Sequence, residues 1–466
     1  MKMWAGRFRQ PLDPAFERWQ RSFEFDRRLL VHELAASRAH ARALKNAGIV
    51  SSDELISILQ GLDQIAEQAS SPAFLDDDES EDVHHFVEKQ LVAIAGDVGY
   101  KLHSGRSRNE QIATDLRLYV RASIDDLRLK LAEWLDALLF RAEQAGNAVM
   151  PAYTHLQRAE PVLVSHWLLS YVEMFLRDAE RLADCRVRVN ICPLGSGAIA
   201  GTTIALDRRA IAEELGFDAI TGNSIDATSD RDFALEFVNA LSLLSVHLSR
   251  WAEETIIFSS QEFGFVRLPE AYSTGSSAMP QKKNPDLLEL VRGKAARVAG
   301  AATTLLVAVK GLPLAYNKDL QETQQPLFDA SETVLSVLPL VAGLMKAVEF
   351  DYDRMQKAAE SGFMNAWVAA TYLVQRGVPF RLAHEQVGQA VQLCVERNCE
   401  LQDLKLHELR EINAVFDQDF YSCLTLGSVL SIHDVPGGTA PVRVQKALKE
   451  ARDKVNLLRE NMHAHA

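Results

Sequence analysis

The sequence is poor in everything that would place it outside the cell, in a membrane or on a nucleic acid. Its five cysteines, Cys185, Cys192, Cys394, Cys399 and Cys423, are odd in number and scattered. They form no Cys-x-x-Cys pair and no Cys/His spacing suited to zinc, which points to a reduced, cytoplasmic protein rather than a disulfide scaffold. There is no basic excess. The formal net charge of -13 argues against a nucleic-acid binder, while leaving a locally cationic site open. The start, "MKMWAGRFRQPLDPAF", lacks the apolar core of a signal peptide. The most apolar stretch, "VLSVLPLVAGLMKAV", is broken by Pro339 and Lys346 and falls short of the roughly 20 residues that span a bilayer. Alternating strand patterns joined by tight hairpin dipeptides are nearly absent, as are internal repeats and low-complexity segments.

What remains is helix. The 466 residues suffice for two or three domains with sizeable cores. From Phe233, the apolar residues Phe237, Leu241, Leu244, Leu248 and Trp251 recur at steps of three or four, marking one helix face. Ser229 with Asp232 resembles a capping box at its start, with Asp in place of the usual Glu or Gln. Asn284 and Pro285 read as the N-cap and first position of a second helix reaching about Lys310, stopped by Gly311–Pro313. A third long pattern is "PVLVSHWLLSYVEMFLRDAERLADCRVRV". Helices this much longer than the usual 11–12 or so residues predict an all-α fold with an elongated central helical bundle and two smaller helical flanking domains. The expected boundaries are 1–107, 108–358 and 359–466. The apolar content exceeds what a single layer of helices would bury, which predicts packing between subunits.

Four polar patches interrupt the helical pattern: "LHSGRSRNEQ" (102–111), "YTHLQRAEP" (153–161), "STGSSAMPQKKNP" (273–285) and "LAYNKDLQE" (314–322). Each alone has an ordinary explanation in a turn or a solvated surface. Together they supply Arg106, Arg108, Lys282 and Lys318 to bind carboxylates, the arginines by a bidentate fork and the lysines as point charges. Asn109, Thr154, Asn284, Tyr316 and Gln321 add neutral hydrogen bonds. Glu289, in the first turns of the helix after Pro285, is placed to orient a histidine such as His155. No zinc-ligand spacing, P-loop or dinucleotide fingerprint accompanies them. The inventory suits cofactor-free acid–base chemistry on a small polycarboxylate.

At these patches the sequence resembles the argininosuccinate lyase family, within the fumarase/aspartase superfamily. "GSSAMPQKKNPD" is similar to the superfamily signature loop, and "GRSRNEQ", "NSIDATSDRDF" and "YNKDLQE" resemble the argininosuccinate branch. The likeness runs from "WAGRF" at Trp4 to "DVPGGTAPVRV" near the end. It implies reversible cleavage of argininosuccinate to arginine and fumarate in arginine biosynthesis. It also implies a fumarase/aspartase-like homotetramer whose four sites are each assembled from three subunits. Residue by residue, it makes Ser276 the general base, His155 the acid or orienting group polarised by Glu289, and Lys282 a stabiliser of developing charge. Ser22, Asn109, Thr154, Asn284, Tyr316 and Gln321 become substrate contacts, and Arg108 joins them as a carboxylate binder.

Two departures stand out. Gln324 in "LQETQQP" occupies a position where many family members carry lysine, removing a cation while leaving a substrate-binding side chain. After "SGF" the chain reads "MNAWVAATYLV", where the family often has threonine and aspartate, so Trp367 and Val368 replace polar positions. Two alternatives stay open at this level. One is a superfamily lyase acting on adenylosuccinate, aspartate or malate; the other is a crystallin-like structural relative.

Overall fold

The computed structural model describes residues 10–463, so the Trp4–Phe8 motif lies outside the described residues. The fold is mostly α-helical, and among the described residues five helices have 24 residues or more. They are α1 (Arg108–Ala145), α2 (Val164–Val189), α3 (Asp232–Ser259), α4 (Asp286–Val309) and α5 (Gln324–Ala347). At 1.5 Å per residue, α1 alone is about 57 Å long. The stripe expected on α3 is its buried face: Phe233, Phe237, Leu241, Leu244, Leu248 and Trp251 are all 3% exposed or less. Trp251 meets Trp134 edge-on with ring centroids 4.7 Å apart, and Trp134 meets Phe175 at 5.5 Å. Such edge-to-face contacts add specificity to the burial itself.

The chain divides into two compact units. One holds the residues up to Asp126 with Arg181–Ser242 and Ala296–Val334; the other holds Leu127–Glu180, Leu243–Ala295 and Leu335 onward. Each division falls inside one of the five long helices, so every one of them contributes to both units. In the first unit, Ala36, Ala39 and Ala43 of the helix Leu30–Asn46 pack against Leu118, Ile211 and Phe217. In the second, Leu373, Val387, Leu401, Phe416 and Phe420 form a core near the C-terminus. The segment Lys318–Ala347 is long and apolar enough, by length and composition, to cross a membrane. Its Leu327, Phe328, Val334, Leu338 and Val341 are nonetheless buried in the fold, which accounts for their apolar character.

Three local expectations change. The cap of α3 is Asp230, whose Oδ1 accepts from the Asp232 amide at 2.7 Å; Ser229 instead closes the short helix Ser224–Ser229. Asn284 does not cap α4. It lies in a short strand, and its Nδ2 donates to Thr274 Oγ1 and Gly275 O, each at 3.4 Å. Pairing with Thr274–Gly275 holds residue 284 extended, so the helix begins two residues later. The third change is a hairpin that the sequence pattern hides. Strand β1 (Val149–Thr154) pairs antiparallel with β2 (Gln157–Leu163), with Thr154 opposite Gln157. Its two turn residues, His155 and Leu156, have φ of 54° and 58°. Two successive left-handed residues are the hallmark of a type I′ turn, normally written Asn-Gly or Gly-Gly. His-Leu carries no such signal.

Candidate active site

In the first unit, three distant segments meet at or beside Glu81 and Asp82. The Ser22 amide donates to Glu81 O at 2.8 Å. Arg108 Nη1 donates to Asp82 Oδ2 at 2.7 Å, and Lys318 Nζ lies 3.4 Å from Glu81 Oε1. Gln321 Nε2 donates to Gln20 O at 3.1 Å. Tyr316 shares the charge environment of Asp82, Glu81, Arg108 and the buried Arg231. Burial raises the Tyr316 phenol above its ordinary value, against the pull of Arg231, so it stays protonated at neutral pH. Arg108 and Asn109 open α1, where Ser107 and Glu110 form a reciprocal cap: the Ser107 amide donates to Glu110 Oε1 at 2.9 Å, and the Asn109 amide to Ser107 Oγ at 3.3 Å. Both residues therefore sit at the positive end of a 38-residue helix, which favours an anionic ligand.

The same unit separates working cations from structural ones. Arg106 is turned inward: its Nη1 donates to Ser37 Oγ at 2.9 Å, and its Nη2 lies 3.6 Å from Glu33 Oε1. Burial would raise Glu33, but Arg106 and His84 hold it well below the ordinary carboxylate range. Arg106 is thus committed to an internal ion pair, and the expectation that it binds a substrate carboxylate is withdrawn. Glu33, His84 and Asp115, far apart in sequence, bring ligand-capable atoms within 4.8 Å of one another. Burial, reinforced by the charge of Glu33, pushes Asp115 well above its ordinary value. Ser22 is also buried. Its hydroxyl donates to Asp26 Oδ2 at 2.6 Å, and burial with the nearby charge of Asp82 raises Asp26 to about 7. Gln324 is 2% exposed, and its Oε1 is sealed from solvent with no hydrogen-bond partner among the described residues.

In the second unit, Thr154 and His155 stand exposed at the tip of the β1–β2 hairpin. Two non-glycine residues with positive φ cost of order 1–3 kcal/mol each, and such strain concentrates where side-chain position matters. The loop 273–285 forms a second small hairpin, in which Thr274–Gly275 pairs with Lys283–Asn284. Between these strands, Ser276 Oγ accepts from the amides of Ala278 (3.3 Å) and Met279 (3.1 Å). Ser277 has no such amides on its hydroxyl among the described residues. The two lysines also part: Lys283 Nζ donates to Leu268 O, whereas Lys282 is exposed with no ion-pair partner among the described residues. Glu289 is exposed on the first turns of α4.

Ser22, Arg108 and Tyr316 are therefore gathered around Glu81–Asp82 in one unit, and Gln321 is bonded to Gln20, two residues before Ser22. Ser276, Lys282 and Asn284 share one loop in the other. Among the described residues no hydrogen bond or ion pair joins His155 to Glu289 or to Ser276. Sequence reasoning missed Asp82 and Arg231. Arg231 is 1% exposed, and burial pulls its guanidinium down to about 10 against the opposing influence of Tyr316 and Asp230. Its Nε and Nη2 have no hydrogen-bond partner among the described residues. The alternating charges of "SDRDF" were the available signal, but a charge run normally reads as a solvated turn.

The lyase family profile matches residues 6–300, and the argininosuccinate lyase C-terminal profile matches residues 363–431. The chain is 60% identical over 466 residues to the argininosuccinate lyase of Koribacter versatilis, covering 100% of both chains. It is 58% identical to that of Acidobacterium capsulatum, over 96% of this chain and 94% of the relative. Among solved structures, EDDS lyase in complex with formate superposes with a TM-score of 0.86 at 25% identity, over 98% of this chain and 93% of that one. The long helices, the Ser276 loop and this end-to-end likeness agree: the chain belongs to the argininosuccinate lyase family.

Proposed function

We propose that this chain is a lyase that cleaves argininosuccinate reversibly to arginine and fumarate, a step of arginine biosynthesis. The observation that carries the assignment is the 60% identity over the whole length of an argininosuccinate lyase. The reaction removes a weakly acidic proton from the carbon beside a carboxylate, and the resulting charge spreads into that carboxylate. A catalyst must stabilise negative charge that grows in the transition state. Lys282, exposed and unpaired, suits that task, as do Arg108 and Asn109 at the start of α1. Ser276 is the general base in this reading. A serine hydroxyl is a poor base unless its alkoxide is stabilised, and two amides already donate to its Oγ. His155, polarised by Glu289, protonates the leaving nitrogen. Ser22, Thr154, Asn284, Tyr316, Gln321 and Gln324 bind the substrate.

This reading makes the protein a cytoplasmic homotetramer in which the patches around Asn109, His155 and Ser276 come from different subunits. Two features support it. His155 has no bond to Glu289 or Ser276 within one chain. The long helices also carry large exposed apolar side chains: Leu243 and Val246 on α3, Leu290, Leu306 and Val307 on α4, and Leu340 on α5. On α4, a Cβ added at Gly293 or Gly300 would meet nothing within 4 Å, leaving room for a second backbone to approach closely.

Fumarate absorbance during turnover of argininosuccinate tests the activity. Release of fumarate from adenylosuccinate, aspartate or malate instead would overturn it. Refolding a mixture of inactive His155→Asn and Ser276→Ala chains tests the shared site: activity should return in mixed tetramers and not in either parent refolded alone. Mixed tetramers without activity would confine the site to one chain.

A further inference from the structure

The departure from the family pattern at Met364–Val368 borders a cavity in the second unit that the catalytic reading does not use. Its volume is about 310 Å³, the lower end of the range of roughly 300–1,000 Å³ for small-molecule sites. Six polar side chains line it: Glu360, Asn365, Glu400, Gln402, Tyr421 and Thr425. Phe363, Met364 and Val429 supply apolar wall. Glu400 Oε1 accepts from the Gly362 amide at 3.0 Å, and its side chain also takes the Asp403 amide in a cap; Glu360 Oε1 accepts from Gln356 Nε2 at 2.8 Å and leaves its other oxygen uncommitted. Asn365 Nδ2 donates to Gln402 Oε1 at 3.4 Å, while Asn365 Oδ1 is sealed from solvent without any hydrogen-bond partner. The lining thus carries two carboxylates and no lysine, arginine or histidine. Phe363 holds a φ of 60° immediately after Gly362 at 85°, a strained turn that places its ring against the cavity.

We propose that this cavity binds a small aliphatic amine bearing a guanidinium group, and that Met364 and Asn365 are ligand contacts rather than neutral drift. Carboxylates facing an apolar wall lack a counter-charge, and a donor-rich cation supplies both charge and hydrogen bonds. A planar guanidinium fork matches carboxylate oxygens, and its aliphatic stem lies along Phe363, Met364 and Val429. A bare metal ion does not suit a site of this size with apolar walls, since hard cations take six to eight oxygen ligands at short range.

The probe is agmatine, a guanidinium amine without the carboxylate that a fumarate-releasing site would require. Calorimetric titration of the full chain should give one saturable site per chain, and glutamate should give none. Glu360→Lys places a cation in the cavity, and Leu426→Trp fills it. Each should weaken agmatine at least tenfold while fumarate release from argininosuccinate changes less than twofold. No saturable agmatine binding to the parent, equal binding of glutamate, or parental affinity in either folded variant would overturn the proposal.

Discussion

Gln324→Leu tests the reading of the lysine-to-glutamine departure on two axes at once. Gln324 opens α5, is 2% exposed, and keeps an Oε1 sealed from solvent without a partner. A buried acceptor left unpaired costs about 1–3 kcal/mol, and leucine of similar volume removes it without leaving a void. The variant should therefore be more stable by an amount up to that range, read as a higher urea midpoint with an unchanged slope. If the same oxygen or its amide nitrogen meets substrate, its loss removes one neutral hydrogen bond, about 0.5–1.5 kcal/mol. That corresponds to a rise in KM of roughly two- to tenfold, with kcat nearly constant because the contact exists in ground and transition states alike. Denaturant titration and steady-state fumarate absorbance on one preparation read both numbers. A less stable variant with unchanged KM would refute the reasoning, because it would make Gln324 a structural residue whose partner the fold supplies elsewhere. A large fall in kcat would refute it differently, by placing transition-state stabilisation on a neutral amide.

Ser276→Ala should lower kcat by several orders of magnitude with folding intact, whereas Ser277→Ala, lacking amides on its hydroxyl, should cost far less; near-normal turnover in Ser276→Ala would hand the base role to His155. Lys282→Ala should lower kcat by about 10²–10³-fold, the scale of losing one oxyanion donor, while Lys283→Ala should act mainly on the stability of its loop, since Lys283 is tied to Leu268 O. Asp26, raised to about 7 when folded, keeps a proton that the unfolded chain releases near the ordinary value of 3.8. Its contribution to stability is present in acid and is lost as pH rises from about 4 to about 7. Asp26→Asn should remove that slope, measured as the difference from the parent at each pH. His32, His40 and His103, depressed by burial to about 4, 3 and 4, push the opposite way in both proteins. A difference independent of pH would show that Asp26 is ionised throughout.

The helices were legible because their information is local and repeated. A stripe such as Phe233 to Trp251 declares its buried face whatever it packs against. The four polar patches were legible because each interrupts that repetition within about ten residues, and their composition was enough to identify the family. Chemically similar neighbours were not separable this way. Arg106 and Arg108 are two residues apart, yet one neutralises Glu33 inside the fold and the other opens α1 against Asp82. Lys282 and Lys283 are adjacent, and only one is held by the backbone. The His155–Leu156 turn was hidden because strand pairing forces left-handed geometry on residues that do not prefer it. Asp26, Asp115 and Arg231 look like ordinary surface charges in one dimension; their shifted proton affinities come from burial and from groups such as Asp82, Glu33 and Tyr316, tens of residues away. Periodicity and composition are properties of a segment, and this chain's sequence determined its helices, its patches and its family. Burial and pairing are sums over neighbours that only the folded chain brings together, and they decided which charges hold the fold and which remain for a ligand.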